Sequence, residues 1–217
     1  MGQSPVGSRS GNYFIMLSYH LDSNVILVKP FQSRHYCHCL AAANCITSRI
    51  QKNGHNVDLQ ILDNKCSTAY KLQIEEKWKS TFQLVSPDKH LRNTAERIIQ
   101  TFKAHFLSIL AGVSSTFPNF LWDKLLPQTE LTLNLIRQFN IAPDISAWEH
   151  FNSHFNFDAT PLAPLGSPII IHNKPGTRRS WDFCGCKGFT IGPALEYYRC
   201  FQVVDATTKS IIISDTI

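Results

Sequence analysis

The sequence predicts an α/β fold, with a mixed sheet and flanking helices over the first 118 residues, a helical connector over 119–157 and a small β domain over 158–217. Three observations carry this. Short runs of strand formers alternate with amphipathic stretches in the order β-β-α-β-α-β up to Val85. Two longer helical patterns follow, one on each side of Pro118, and the second is closed by Pro143. Beyond Pro161-Leu162-Ala163-Pro164 the texture changes to short apolar runs separated by Gly, Pro, Asn and Asp, as in small barrels and sheets.

The elements follow in chain order. Met1 to Asn12 is a polar lead rich in Gly and Ser, without the apolar core of a signal peptide. Tyr13 to Tyr19 and Asn24 to Val28 are apolar strand runs joined by His20-Leu21-Asp22-Ser23, a hairpin signature. From Ser33 to Ile50, the near-helical spacing of Tyr36, Leu40, Ala43, Ile46 and Ile50 predicts a crossover helix, stopped by Asn53-Gly54. Val57 to Leu62 reads as a buried strand ending at Asp63. Ser67 to Trp78 is a second, less regular helix, and Thr81 to Val85 is a strand closed by Pro87.

The longest helical pattern runs from about His90 to Val113. Its stripe of Ala95, Ile98, Ile99, Phe102, Phe106, Ile109 and Leu110 should pack on the sheet. Phe120 to Phe139 is the next helix, with a short turn of helix at Ser146 to Phe151. The domain boundary falls near Asp158 to Pro164. Strands are expected at 169–171, 188–191, 199–204 and 211–213.

Composition narrows the classes. With 217 residues and 43% hydrophobic content, the chain can bury one good core. A net charge of +5 and a pI near 8.8 permit a polyanionic partner. Only 17% of residues are charged, however, so this is no basic tail, and a mildly basic soluble protein fits equally. Seven cysteines, an odd and scattered set, argue for a reducing compartment over a disulfide framework. No window approaches the roughly 18 consecutive apolar residues of a membrane span. The expected location is nuclear or cytoplasmic, not secreted.

Two carboxylates carry the chemistry. Asp63 ends an apolar strand, and Glu96 lies on the long helix within Asn93-Thr94-Ala95-Glu96-Arg97. Two-metal phosphoryl-transfer enzymes need carboxylates on separate rigid elements, because metal ions roughly 3.5–4 Å apart must be held while they clamp the attacking and leaving oxygens. On a helix, Asn93, Glu96, Gln100 and Lys103 share one polar face opposite Ile98, Phe102 and Phe106. The plain alternative is the solvated face of an amphipathic helix.

These motifs resemble the integrase catalytic core of copia-like LTR retrotransposons, found inside gag-pol polyproteins. The residues that carry the resemblance are Leu62-Asp63-Asn64, Asn93 to Arg97, Leu131-Thr132-Leu133-Asn134, Pro161 to Gly166 with Ile169-Ile170-Ile171-His172, Gly192-Pro193-Ala194, Tyr198-Arg199 and Ser214-Asp215-Thr216. The resemblance implies an RNase H-like core and a Mg²⁺- or Mn²⁺-binding Asp, Asp, Glu triad whose second and third members are Asp63 and Glu96. It implies that Lys103 meets DNA. The first aspartate is expected just upstream of Met1, since Gly2 to Val6 aligns with a stretch that follows it.

Asp22 could substitute only from a turn, where an aspartate ordinarily caps its own backbone. Asp58 starts the strand that Asp63 ends, so it sits at the far end. With the bridging ligand missing, the chain is expected to be inactive alone. DNA is the expected partner, with self-association possible and no small-molecule cofactor. The competing functions are a domesticated non-catalytic DNA-binding or interaction module and an RNase H-like nuclease with a substitute ligand.

Further constellations are weaker. His35-Tyr36-Cys37-His38-Cys39 resembles a zinc cluster, but on a helix Cys37 and Cys39 point apart. Cys184-Gly185-Cys186 falls short of the usual Cys-x-x-Cys spacing. Lys174, Arg178, Arg179 and Lys187, interleaved with Trp181 and Phe189, form the best local basic and aromatic patch, of the type that neutralises phosphates and stacks on bases.

Overall fold

A computed structural model describes residues 2–62, 67–85, 94–172, 176, 181 and 183–217. It is a mixed α/β structure. The strands are β1 (Gly2–Gln3), β2 (Phe14–His20), β3 (Val25–Phe31), β4 (Leu59–Leu62), β5 (Thr81–Leu84), β6 (Pro168–His172), β7 (Gly185–Pro193), β8 (Phe201–Asp205) and β9 (Ile211–Ser214). The helices are α1 (Tyr36–Lys52), α2 (Thr68–Glu76), α3 (Thr94–Gly112), α4 (Trp122–Ile136) and α5 (Ala147–Phe151).

Three sheets form among the described residues. β1-β2-β3 is antiparallel, β4-β5 is a parallel pair, and β6-β7-β8-β9 is an antiparallel meander. The hairpin that the sequence predicts forms between β2 and β3, but His20, expected in the turn, ends β2 opposite Val25, and Asn24, expected in the second strand, takes the left-handed conformation (φ 62°) that asparagine tolerates. The strand β1 was not expected within the polar lead. Two residues carry no periodicity to read, and this strand exists because Gly2 and Gln3 pair with Ile15 and Phe14.

The first sheet is covered on both faces. Ile15, Ile26 and Val28 join Ile98, Phe102 and Phe106 of α3 and Leu125, Leu126 and Leu133 of α4. Met16, Val25, Leu27 and Phe31 join Ala42, Ala43, Ile46 and Ile50 of α1, with Ala147 and Phe151 of α5. Successive strand residues point to opposite faces, so the unbroken run Val25-Ile26-Leu27-Val28 is what a strand buried on both sides requires. Phe189, Ile191 and Val204 of the β6–β9 sheet belong to the same cluster as α3 and α4.

Two elements depart from their sequence reading. β4 was expected to be buried, yet Leu59 and Ile61 are 45% and 55% exposed. It has one described neighbour strand, β5, and the two form a sheet separate from β1-β2-β3. The helix expected to reach Phe139 stops at Ile136. Arg137 turns extended (ψ 137°), and Gln138 bridges Ser146 while Ala147 N–H donates to Arg137 O at 2.7 Å.

Candidate nucleic-acid interface

The glutamate of the expected carboxylate pair is Glu96, which lies in the first turn of α3 and is half-buried. Gln100 and Lys103 follow on the same stripe and are exposed. At about 100° per residue, positions 96, 100 and 103 fall within one narrow sector, with the buried Ile98, Phe102 and Phe106 on the other side. The buried stripe orients the polar one, because α3 can bury only that face against β2 and α4. Leu62 is the last residue of β4, so the chain enters Asp63 directly from a strand end. Asp63 and Asn93 lie outside the described residues, as do Lys174, Arg178 and Arg179. Lys187 is exposed on β7, opposite Ile170 of β6.

The resemblance implies a pair of divalent metal ions. Among the described residues, no group of three or more His, Cys, Asp or Glu side chains could hold a metal ion, and Glu96 is the triad member within that set. A lone carboxylate does not fix a two-metal geometry, so the described residues do not fit that group and no chemical step is derived through it. Asp22 is exposed in the β2–β3 turn, and Asp58 immediately precedes β4.

Sequence reasoning missed a polar seam that holds this frame. The outer edge of β3 is met by side chains of α4 and the residue after it. Asn134, fully buried, accepts from Ile26 N–H at 2.9 Å and donates to Ile26 O at 2.8 Å. Glu130 accepts from Val28 N–H at 2.7 Å and pairs with Arg49 of α1. Arg137 Nε donates to Asn24 O at 2.9 Å. Two residues along a strand advance about 6.7 Å and three to four along a helix about 4.5–6 Å, so an antiparallel helix can serve alternate strand positions. Pro30 has the same parity, so its missing N–H faces this edge, where a proline is tolerated.

Burial works against the Arg49 charge, but the hydrogen bond and charge of Glu130 more than offset it and raise the guanidinium above its ordinary value. The available signal was Glu130 and Asn134, two polar residues four apart amid Leu125, Leu126, Leu131 and Leu133. The resemblance flagged Asn134 without its role.

A ring cluster lies beside α5. The His20 and His55 ring centroids are 5.1 Å apart, and those of His55 and His150 are 5.7 Å apart. His55 stacks on Phe151 and His150 on Phe139. Burial lowers the His20 pKa, His55 and His150 lower it further, and Asp22 opposes them.

No protein family model matches the chain. An accessory Sec system protein of Staphylococcus aureus is 32% identical over 102 residues, which cover 45% of this chain. The chain spans about a third of that curated relative's length, 32%.

Proposed function

We propose that this chain is an integrase-derived nucleic-acid-binding protein with an RNase H-like core and a small C-terminal β domain, and that it is inactive alone. The observation that carries the reading is the order of elements around the two carboxylates. An antiparallel β1-β2-β3 ribbon leads through α1 to β4, whose end adjoins Asp63, and α2 crosses to the parallel β5 before α3 presents Glu96 in its first turn. This chain order, with helices on both faces of the first sheet, supports the RNase H-like reading. The β6–β9 sheet supports the C-terminal one. Polynucleotide binding draws on the +5 charge, on Lys103, which shares the α3 stripe of Glu96, and on Lys187, with Asn93, Gln100, Lys174, Arg178 and Arg179 as further contacts. A nuclear or cytoplasmic location belongs to the same proposal. Among the described residues, no helix is long and apolar enough to cross a membrane.

The test is duplex binding against salt. Each phosphate neutralised adds roughly 0.9 to the slope of log affinity on log salt. Wild-type protein should bind weakly and without sequence preference, and Lys103→Ala should reduce the slope by about one contact. An affinity that does not change between low and moderate salt sinks the reading. The match to an accessory Sec system protein supports a second reading, a component of such a system, which failure to bind any polynucleotide at any salt would favour.

A further inference from the structure

We infer that the open edge of β9 is an interface through which two copies of this chain pair antiparallel, in the register that sets Ile211 opposite Ile213 of the second copy. This goes beyond the polynucleotide-binding reading and does not rest on it. Among the described residues β9 pairs with β8 alone, so its other edge has no strand against it. Its isoleucines Ile211, Ile212 and Ile213 are 47%, 37% and 45% exposed. Edge strands are ordinarily guarded by a lysine, a proline or a bulge within the strand, and β9 carries none of these.

The alternation of the ladder fixes which backbone groups are open. Asp205 N–H donates to Ser210 O at 3.0 Å, one step before the Val204–Ile211 pair, so Ser210, Ile212 and Ser214 turn their N–H and C=O groups toward β8. Those of Ile211 and Ile213 point away from it, and a further strand can bond only to these. The antiparallel register centred on Ile212 sets Ile211 of each copy opposite Ile213 of the other, with N–H to C=O bonds exchanged in each pair and Ile212 packed on its own equivalent. The same register brings Lys209 opposite Asp215 of the second copy. Slipping it by two residues either way would set Asp215 against Thr207 or Ile211 instead and lose that charge pair. Exposed Arg9, whose guanidinium donates to Lys209 O, adds a second cation at the same end. Each strand edge thus starts cationic and ends anionic, and two antiparallel copies match those ends. Such a contact is isologous and closes at two copies.

The experiment is sedimentation equilibrium of the full chain from about 5 to 500 µM in low salt, because so short an edge gives a weak, concentration-dependent dimer. Ile213→Pro removes an N–H that β8 does not use and should weaken pairing about tenfold or more with the circular dichroism unchanged. Should that spectrum change, Ile212→Lys, at an exposed position, takes its place and should weaken pairing as much. Lys209→Asp and Asp215→Lys each set like charges opposite one another and should each lose association. An equimolar mixture of those two variants restores both opposite-charge pairs and should associate. Wild-type protein that stays monomeric throughout overturns the inference, as does a folded edge variant that pairs like wild type or a mixture no more associated than its components. Growth beyond two copies also overturns it, since pairing of β9 with β6, the other edge of the same sheet, would not close.

Discussion

At the scale of single residues, the side chain that decides most is Asn134. Its amide presents to Ile26 the donor and acceptor that a neighbouring strand would present, so β3 ends the sheet without an open edge at that point. Replacement by alanine leaves a buried N–H and a buried C=O without partners. Each costs about 1–3 kcal/mol, and partial relaxation reduces the total, so Asn134→Ala should lose about 2–4 kcal/mol. Urea unfolding measures it, with the midpoint shifted and the slope m unchanged. A loss below about 1 kcal/mol would mean that water replaces the amide and that the edge is not sealed there. Glu130 belongs to the same seam but also balances Arg49, so its removal would strand a partly buried guanidinium as well as Val28 N–H.

At the scale of elements, β2, the α1–β4 connection and α5 meet through His20, His55 and His150. His20 has a lowered pKa in the folded state, first from burial and then from its two histidine neighbours. A histidine of that kind binds fewer protons folded than unfolded. Its stabilising contribution is therefore fully present above the ordinary value near 6.5 and is lost as pH falls from there through the lowered folded value. Stability should drop between pH 7.5 and 5.5, and His55→Phe, which keeps the stack on Phe151, should flatten the drop. Urea midpoints at the two pH values are the measurement. Equal slopes in wild type and variant would remove His55 from the coupling.

The same elements show what the sequence made legible. α1 and α3 were readable because each buries one periodic face, as Ile98, Phe102 and Phe106 do, and the hairpin because two runs of strand formers flank a polar turn. β1 was not, since two residues have no period. The exposure of Leu59 and Ile61 on β4 was not readable either, because an apolar run reports what a strand can bury, not which neighbours cover it. The seam between α4 and β3 joins residues more than a hundred positions apart, and no local pattern specifies that pairing. Of the candidate interface, the shared stripe of Glu96, Gln100 and Lys103 followed from helical geometry. Asp63, Lys174, Arg178 and Arg179 lie outside the described residues, so the approach of Asp63 to Glu96 and the basic patch stay expectations of the sequence.

For the molecule as a whole, the layering holds a frame with two buried clusters: one face of the first sheet packs on α3, α4 and the second sheet, the other on α1 and α5, and α3 is fixed within the first by its buried stripe. On the proposed integrase-derived reading, such a frame positions Glu96 without a ligand shared by two metal ions. Two-metal phosphoryl transfer requires a ligand shared by both ions, and where it is lacking the charge between them is uncompensated and the geometry loose. The 217-residue chain should therefore neither nick nor join DNA with Mg²⁺ or Mn²⁺. Plasmid nicking and strand-transfer assays on this chain beside its Glu96→Gln variant decide the matter. Metal-dependent activity that disappears in the variant would mean that a carboxylate of this chain, with Asp22 the first to mutate, completes the site.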